Sequence, residues 1–169
     1  MNRIVKISLS IIIALCALLP HINSTDKPGV FENVFSIGVI GSAAIIIIFF
    51  TAIGIYCMDL QRCLELIEPK NRKATPKSVW YMFLMPFNFI EDFFIVINIS
   101  NSLQEEAREN IKLQKYKDFS MVTGIGWCIA QILSFIPNIT GQVAAIMGLV
   151  LWIIHWRFII NINKQLINN

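Results

Sequence analysis

The sequence predicts an all-α integral membrane protein: a small helical bundle with about three spanning helices plus a re-entrant or interfacial amphipathic helix, preceded by a signal-like N-terminal segment. Three observations carry this expectation. Of the 169 residues, 56% are hydrophobic and 15% charged, where ordinary soluble domains have roughly 45–50% and about 25%. The apolar residues fall into long runs divided by short polar stretches. The basic residues gather between those runs, as they do in the cytoplasmic loops of membrane proteins. Such a composition excludes a disordered chain. A net charge of +3, with acids interspersed among the bases, excludes a nucleic-acid partner.

Residues 1–24 have the layout of a secretory signal: Arg3 and Lys6 form a basic region, residues 7–19 an apolar run, and Pro20 a breaker. The run is 13 residues, and a span needs about 20. A signal peptide cut near Ser24 is therefore favoured, with an uncleaved signal anchor as the alternative. Cys16 follows Leu15 within the apolar run, where a lipidation signal would place a small residue.

Residues 25–169 form a single membrane domain. Its first span, residues 35–58, would be roughly 36 Å long as a helix, enough to cross with some tilt. Gly38 and Ser42, with Gly41 and Ala44, give it a small-residue stripe that lets another helix approach, unless these residues are merely tolerated in lipid. Residues 59–77 continue the helix through Leu60, Leu64 and Ile67 and stop at Pro69. They then form a basic, cytoplasmic loop at Lys70, Asn71, Arg72 and Lys73, weakly attractive to anionic lipid.

Hydropathy alone would make residues 79–99 another span. Two features oppose this. Glu91 and Asp92 would lie in the hydrocarbon at about 2.5–3.5 kcal/mol each, and Pro86 breaks any helix that passes through it. The chain has 14 Lys and Arg. Crossing would leave seven on each side, whereas a segment that returns to the cytoplasmic face, or lies in the interface, leaves all but Lys27 in the cytoplasm. The positive-inside rule prefers the second arrangement.

From Phe87 onward, Asn88, Glu91, Asp92, Asn98, Ser102 and Glu105 fall near one helical face, with Phe89, Ile90, Phe93 and Ile97 opposite. Glu91, Asp92, Asn88 and Asn98 are the candidate polar site. Glu91 is expected to meet water or a partner more fully than Asp92, because it aligns with Asn98, Ser102 and Glu105. Helix is expected as far as Asn110, supported by Glu105 with Arg108 and Glu109 with Lys112.

Two further spans, residues 120–136 and 142–160, are joined by the turn Pro137-Asn138-Ile139-Thr140-Gly141. Ala144 with Gly148, and Gly141 with Ala145, can face the preceding helix. Trp152, Trp156 and Arg157 mark the membrane boundary, and His155 beside them reads as an interfacial residue.

Chemical motifs are few. Cys16, Cys57, Cys63 and Cys128 form no CxxC pair, and a reducing or membrane setting makes disulfides unexpected. His21 and His155 lack partners at metal-ligand spacing. The sequence holds no glycine-rich phosphate loop, nucleophile elbow or HExxH. No cofactor, metal or catalytic residue is predicted.

Trp80 ahead of Pro86, the run Ile97-Asn98-Ile99-Ser100-Asn101-Ser102-Leu103-Gln104-Glu105, and Ile136-Pro137 followed by Leu151-Trp152-Ile153-Ile154-His155-Trp156 carry one likeness. Over about residues 78–166 the chain resembles small multi-pass proteins of bacterial inner membranes. The resemblance implies that location, with residues 59–77 and 101–118 cytoplasmic, and no biochemical activity. Two function classes follow. One is a non-enzymatic accessory or scaffold protein that contacts the lipid bilayer and a membrane-protein partner or a second copy of itself. The other is a small proton or cation conduit or sensor using Glu91 or Asp92, since intramembrane carboxylates often serve this way.

Overall fold

A computed structural model describes residues 4–12, 15, 34–84 and 88–168. Pro86 and the expected cleavage position near Ser24 lie outside the described residues. Among the described residues the fold is all-helical. Residues 4–12 are helical, followed by α1 (Val39–Leu66), short 3₁₀ turns at Pro69–Asn71, a longer 3₁₀ segment at Pro76–Phe83, α2 (Asn88–Glu106), α3 (Met121–Leu133) and α4 (Ile139–Ile167).

α1 starts later and ends later than its apolar run suggests. Gly38, at φ 89°, takes the left-handed conformation that glycine adopts without a Cβ clash, and this breaks the backbone just before Val39. At the other end, Leu60, Cys63 and Leu64 are buried. That stripe at helical spacing carries α1 beyond Met58 and into the core until Pro69 stops it.

The chain then doubles back. In a 3₁₀ helix every third side chain shares an edge, and here Val79 and Met82 share the edge that meets α1: the Cys57 Sγ lies 3.7 Å from the Val79 carbonyl and 3.6 Å from the Met82 Sδ. Trp80 Nε1 donates to Gln61 Oε1 at 2.6 Å, while Phe83 lies 6.2 Å from Phe50 between ring centroids. The 3₁₀ segment therefore runs antiparallel to α1, away from the end where α1 terminates. α2 returns to that end. Its final turn places the Glu106 carboxylate where the Glu68 amide and the Asn71 side chain both donate to it, at 3.1 and 2.9 Å. One turn earlier, Ser102 accepts from the Lys73 amide at 2.8 Å.

This path changes the reading of the polar face of α2. Asn88, Asp92, Ser102 and Glu106 are buried, along with Ile95, Val96, Ile99 and Leu103. Ser102 and Glu106 turn inward because the backbone and side-chain donors of the 68–73 loop need acceptors. The helix ends at Glu106, short of Asn110. Glu105 pairs with Arg108 at 2.9 Å as its spacing suggests, but Glu109 pairs across the loop with Lys70 at 2.7 Å and Lys112 donates to the Asn168 carbonyl.

α3 and α4 form a hairpin. Asn138 caps α4, its Oδ1 accepting from the amides of Thr140 and Gly141 at 2.8 and 3.2 Å. α4 begins at Ile139, so Thr140 and Gly141 belong to its first turn and not to the connecting turn; a Cβ on Gly141 would lie 1.9 Å from the Ile136 carbonyl oxygen, so only glycine fits there. Gly148 packs closely on Ala130: a Cβ there would lie 3.2 Å from the Ala130 Cβ, tighter than ordinary contact. With 13 residues, α3 is about 20 Å long against roughly 30 Å of hydrocarbon. α1 and α4 are the two described helices long and apolar enough to cross a membrane, at mean hydropathy 2.4 and 2.0.

Charge is segregated along the bundle. Among the described residues, every Lys, Arg, Asp and Glu except Lys6, Glu91 and Asp92 falls within residues 59–77, 105–118 or 157–164. Contacts between Trp156 and Asp59, Lys70 and Glu109, and Lys112 and Asn168 gather these stretches at one end. Within that network Lys70 is held above its ordinary pKa by hydrogen bonds to Glu109 and Glu68.

Candidate functional site

The interior of the bundle is aromatic around one tyrosine. Tyr56 projects from α1 with no exposure, and Trp127 of α3 together with Trp152, His155 and Trp156 of α4 surround its ring at centroid distances of 5.7 to 6.1 Å. All four rings meet Tyr56 edge-on, the arrangement aromatic quadrupoles prefer. Trp152 and Trp156, expected at the membrane boundary, instead converge with Trp127 on one point.

His155 is fully buried rather than interfacial. Its Nδ1 lies 3.0 Å from the Ser120 carbonyl oxygen and 3.2 Å from the Ser120 hydroxyl. The two residues before α3, Phe119 and Ser120, have φ of 47° and 60°, the left-handed region that side chains other than glycine rarely occupy. That strained pair is what turns the Ser120 carbonyl toward the histidine, while the Ser120 hydroxyl also bonds to Thr123. Ser100 of α2 donates to the Phe119 carbonyl at 3.1 Å and holds the same bend from the other side. Gly124 gives the ring its space: a Cβ there would come within 3.0 Å of His155 and 2.5 Å of Val96.

The two adjacent carboxylates of α2 have different surroundings. Glu91 is partly exposed and receives Lys6, whose Nζ lies 2.9 and 3.1 Å from its two oxygens and 4.0 Å from the Phe94 ring centroid. Asp92 is 3% exposed and leaves Oδ1 without a partner. Gln131 of α3 hydrogen-bonds to it, and Tyr56, Cys57 and Cys128 lie within electrostatic reach. Asn88 is buried one turn earlier, with its Oδ1 unpaired. Asn98 is half-buried on another face and its carbonyl accepts from Ser102.

No family model, curated protein or solved structure matches the chain. In and beside the Tyr56 cluster lies a set of buried polar atoms with unspent hydrogen-bonding capacity: Tyr56 OH and Trp152 Nε1 as donors, Asp92 Oδ1, Gln131 Oε1 and His155 Nε2 as acceptors.

The other residues singled out by spacing sit elsewhere. Ser42 is buried, its hydroxyl bonded to the carbonyls of Gly38 and Val34. Ala144 and Gly148 are buried on α4. Gly38 has open space where a Cβ would be. Tyr56, Gln131, Ser120 and Trp127 were not legible as site residues. A weak signal existed in Gln131, a polar amide within an apolar span, and in His155, but spacing does not disclose that they converge.

Proposed function

We propose that the chain is a multi-pass protein of a bacterial inner membrane that acts without enzymatic chemistry, as an accessory or scaffold for a membrane-protein partner or a second copy of itself. The observation that carries this reading is the outer surface of the bundle. The first half of α1 presents Val39, Ile40, Ile47 and Ile48 outward, at 66% exposure or more. Such a surface suits lipid and other helices. The charged end suits the cytoplasm under the positive-inside rule. The segment 76–106, which leaves and returns to that end, then dips into the membrane without crossing it. The Lys6 to Glu91 pair favours an N-terminal segment retained as an anchor. Extraction in mild detergent followed by cross-linking tests the proposal: a stoichiometric partner or a defined homo-oligomer is expected, and a monomer that recovers no partner overturns it.

A second reading, a small proton or cation conduit or sensor, is favoured by Asp92. A carboxylate within a described apolar zone, with one oxygen unpaired, is costly unless it works. Flux of protons or cations in liposomes, lost when Glu91→Gln is combined with Asp92→Asn, is the expected outcome; unchanged flux, or none in the parent protein, overturns it.

A further inference from the structure

We propose that Asp92 holds an exchangeable proton, and that Tyr56 and His155, bridged by buried water, link it to the charged end of the bundle through Ser120 and Asp118. The inference rests on the second reading above and deepens it by choosing between the two carboxylates and between a proton and a metal cation.

The choice of carboxylate follows from partners. Glu91 already has an ammonium group against both of its oxygens. Asp92 has an amide neighbour in Gln131, and yet Asp92 Oδ1 and Gln131 Oε1 are both bare acceptors. Two acceptors without a donor are mismatched when Asp92 is ionised. One proton on Asp92 removes the mismatch, because it turns an acceptor into a donor and cancels the charge. A metal cation fits less well, since no group of three His, Cys, Asp or Glu able to hold one occurs among the described residues.

The route follows from the remaining unpaired atoms. Tyr56 OH is a donor and acceptor, Trp152 Nε1 a donor, and His155 Nε2 an acceptor when Nδ1 donates to the Ser120 carbonyl. These groups share one cluster and carry complementary capacity without bonding one another directly. Bridging water, at two to four hydrogen bonds each, is what the route requires between them. Past His155 the line reaches Ser120, and Asp118 lies within electrostatic reach of His155, its Oδ1 accepting from the Val122 amide at the charged end.

The titratable and charged groups that face Asp92 or flank its helix are Tyr56 and Cys57 from α1, Cys128 from α3, His155 from α4, Glu91 from α2 and Lys6 from the N-terminal helical residues. Lys77 and Tyr81 of the 3₁₀ segment lie with Lys77 at its charged-end start and Tyr81 exposed.

Infrared spectroscopy of the full chain in nanodiscs tests the site. At neutral pH a protonated-carboxyl C=O band is expected that shifts in D₂O. Isotope labelling of aspartate in the unmutated protein should move this band, an arm that needs no variant to fold. Asp92→Asn should abolish the band and Glu91→Gln should retain it. Tyr56→Phe should slow its shift into D₂O severalfold. Absence of the band, insensitivity to aspartate labelling, or its loss in Glu91→Gln overturns the assignment to Asp92. An unchanged exchange rate in Tyr56→Phe overturns the route. The conduit or sensor reading fails separately: a band that behaves as expected, in a protein with neither proton flux nor any pH-linked change in tryptophan fluorescence, supports the proton site and removes that reading.

Discussion

Glu106 shows how one side chain fixes a long path. Its buried carboxylate receives the Glu68 amide and the Asn71 side chain, so Glu106→Ala leaves buried donors unpaired, at a cost of about 1–3 kcal/mol. A lowered Tm in detergent and faster proteolysis in the 68–75 loop are expected; an unchanged Tm would show that water replaces the carboxylate. Gly124 makes the opposite kind of test. A methyl there overlaps Val96, which can turn, and His155, which is fixed between Tyr56 and Ser120. Gly124→Ala should destabilise by about 1–3 kcal/mol through overpacking and alter tryptophan emission, because the displaced ring presses on the aromatic cluster. A stable variant with unaltered emission would mean that the ring has more freedom than its hydrogen bonds imply.

At the scale of elements, the decisive feature is the hairpin made by the 3₁₀ segment and α2. The Lys73 amide donates to the Ser102 hydroxyl at 2.8 Å, which brings these two positions together. With the native cysteines replaced, Lys73→Cys combined with Ser102→Cys should cross-link under mild oxidation. A helix that crossed the bilayer would hold these positions on opposite sides, so failure to cross-link in a folded protein counts against the returning path. The sequence disclosed the costs of crossing, in Glu91, Asp92 and the distribution of basic residues. It did not disclose which face of α2 turns inward. Amphipathic spacing placed Asn88, Asp92 and Ser102 on a face toward water or a partner, and the fold uses that face for its own loop and core.

For the whole molecule, the gathering of charge at one end yields a topological expectation. A Lys115→Cys probe should resist an impermeant thiol reagent in intact cells and react in inverted vesicles; labelling in intact cells would place this end outside. The N-terminal residues make a second expectation at this scale. If the Lys6 to Glu91 contact persists in the membrane, the purified protein retains residues 1–24 by mass, and Glu91→Gln loosens that segment. Loss of those residues from a functional protein would leave Glu91 to another partner.

The sequence by itself determined the helical class, the apolar runs, a break at Pro137 and Asn138 and the placing of nearly all charge between the runs. These are local sums over neighbouring residues, and hydropathy, helical period and turn chemistry read them directly. Only the tertiary structure decided that the 76–106 segment returns to its starting end, that α3 is short, that His155 is buried and that Tyr56 stands at the centre of an aromatic cluster. Those outcomes depend on partners far apart in the chain: Glu106 meets a backbone amide 38 residues away, and Trp156 meets Asp59 across 97. A buried polar group is stable only where its hydrogen-bonding partner arrives, and which partner arrives is settled by how the helices pack.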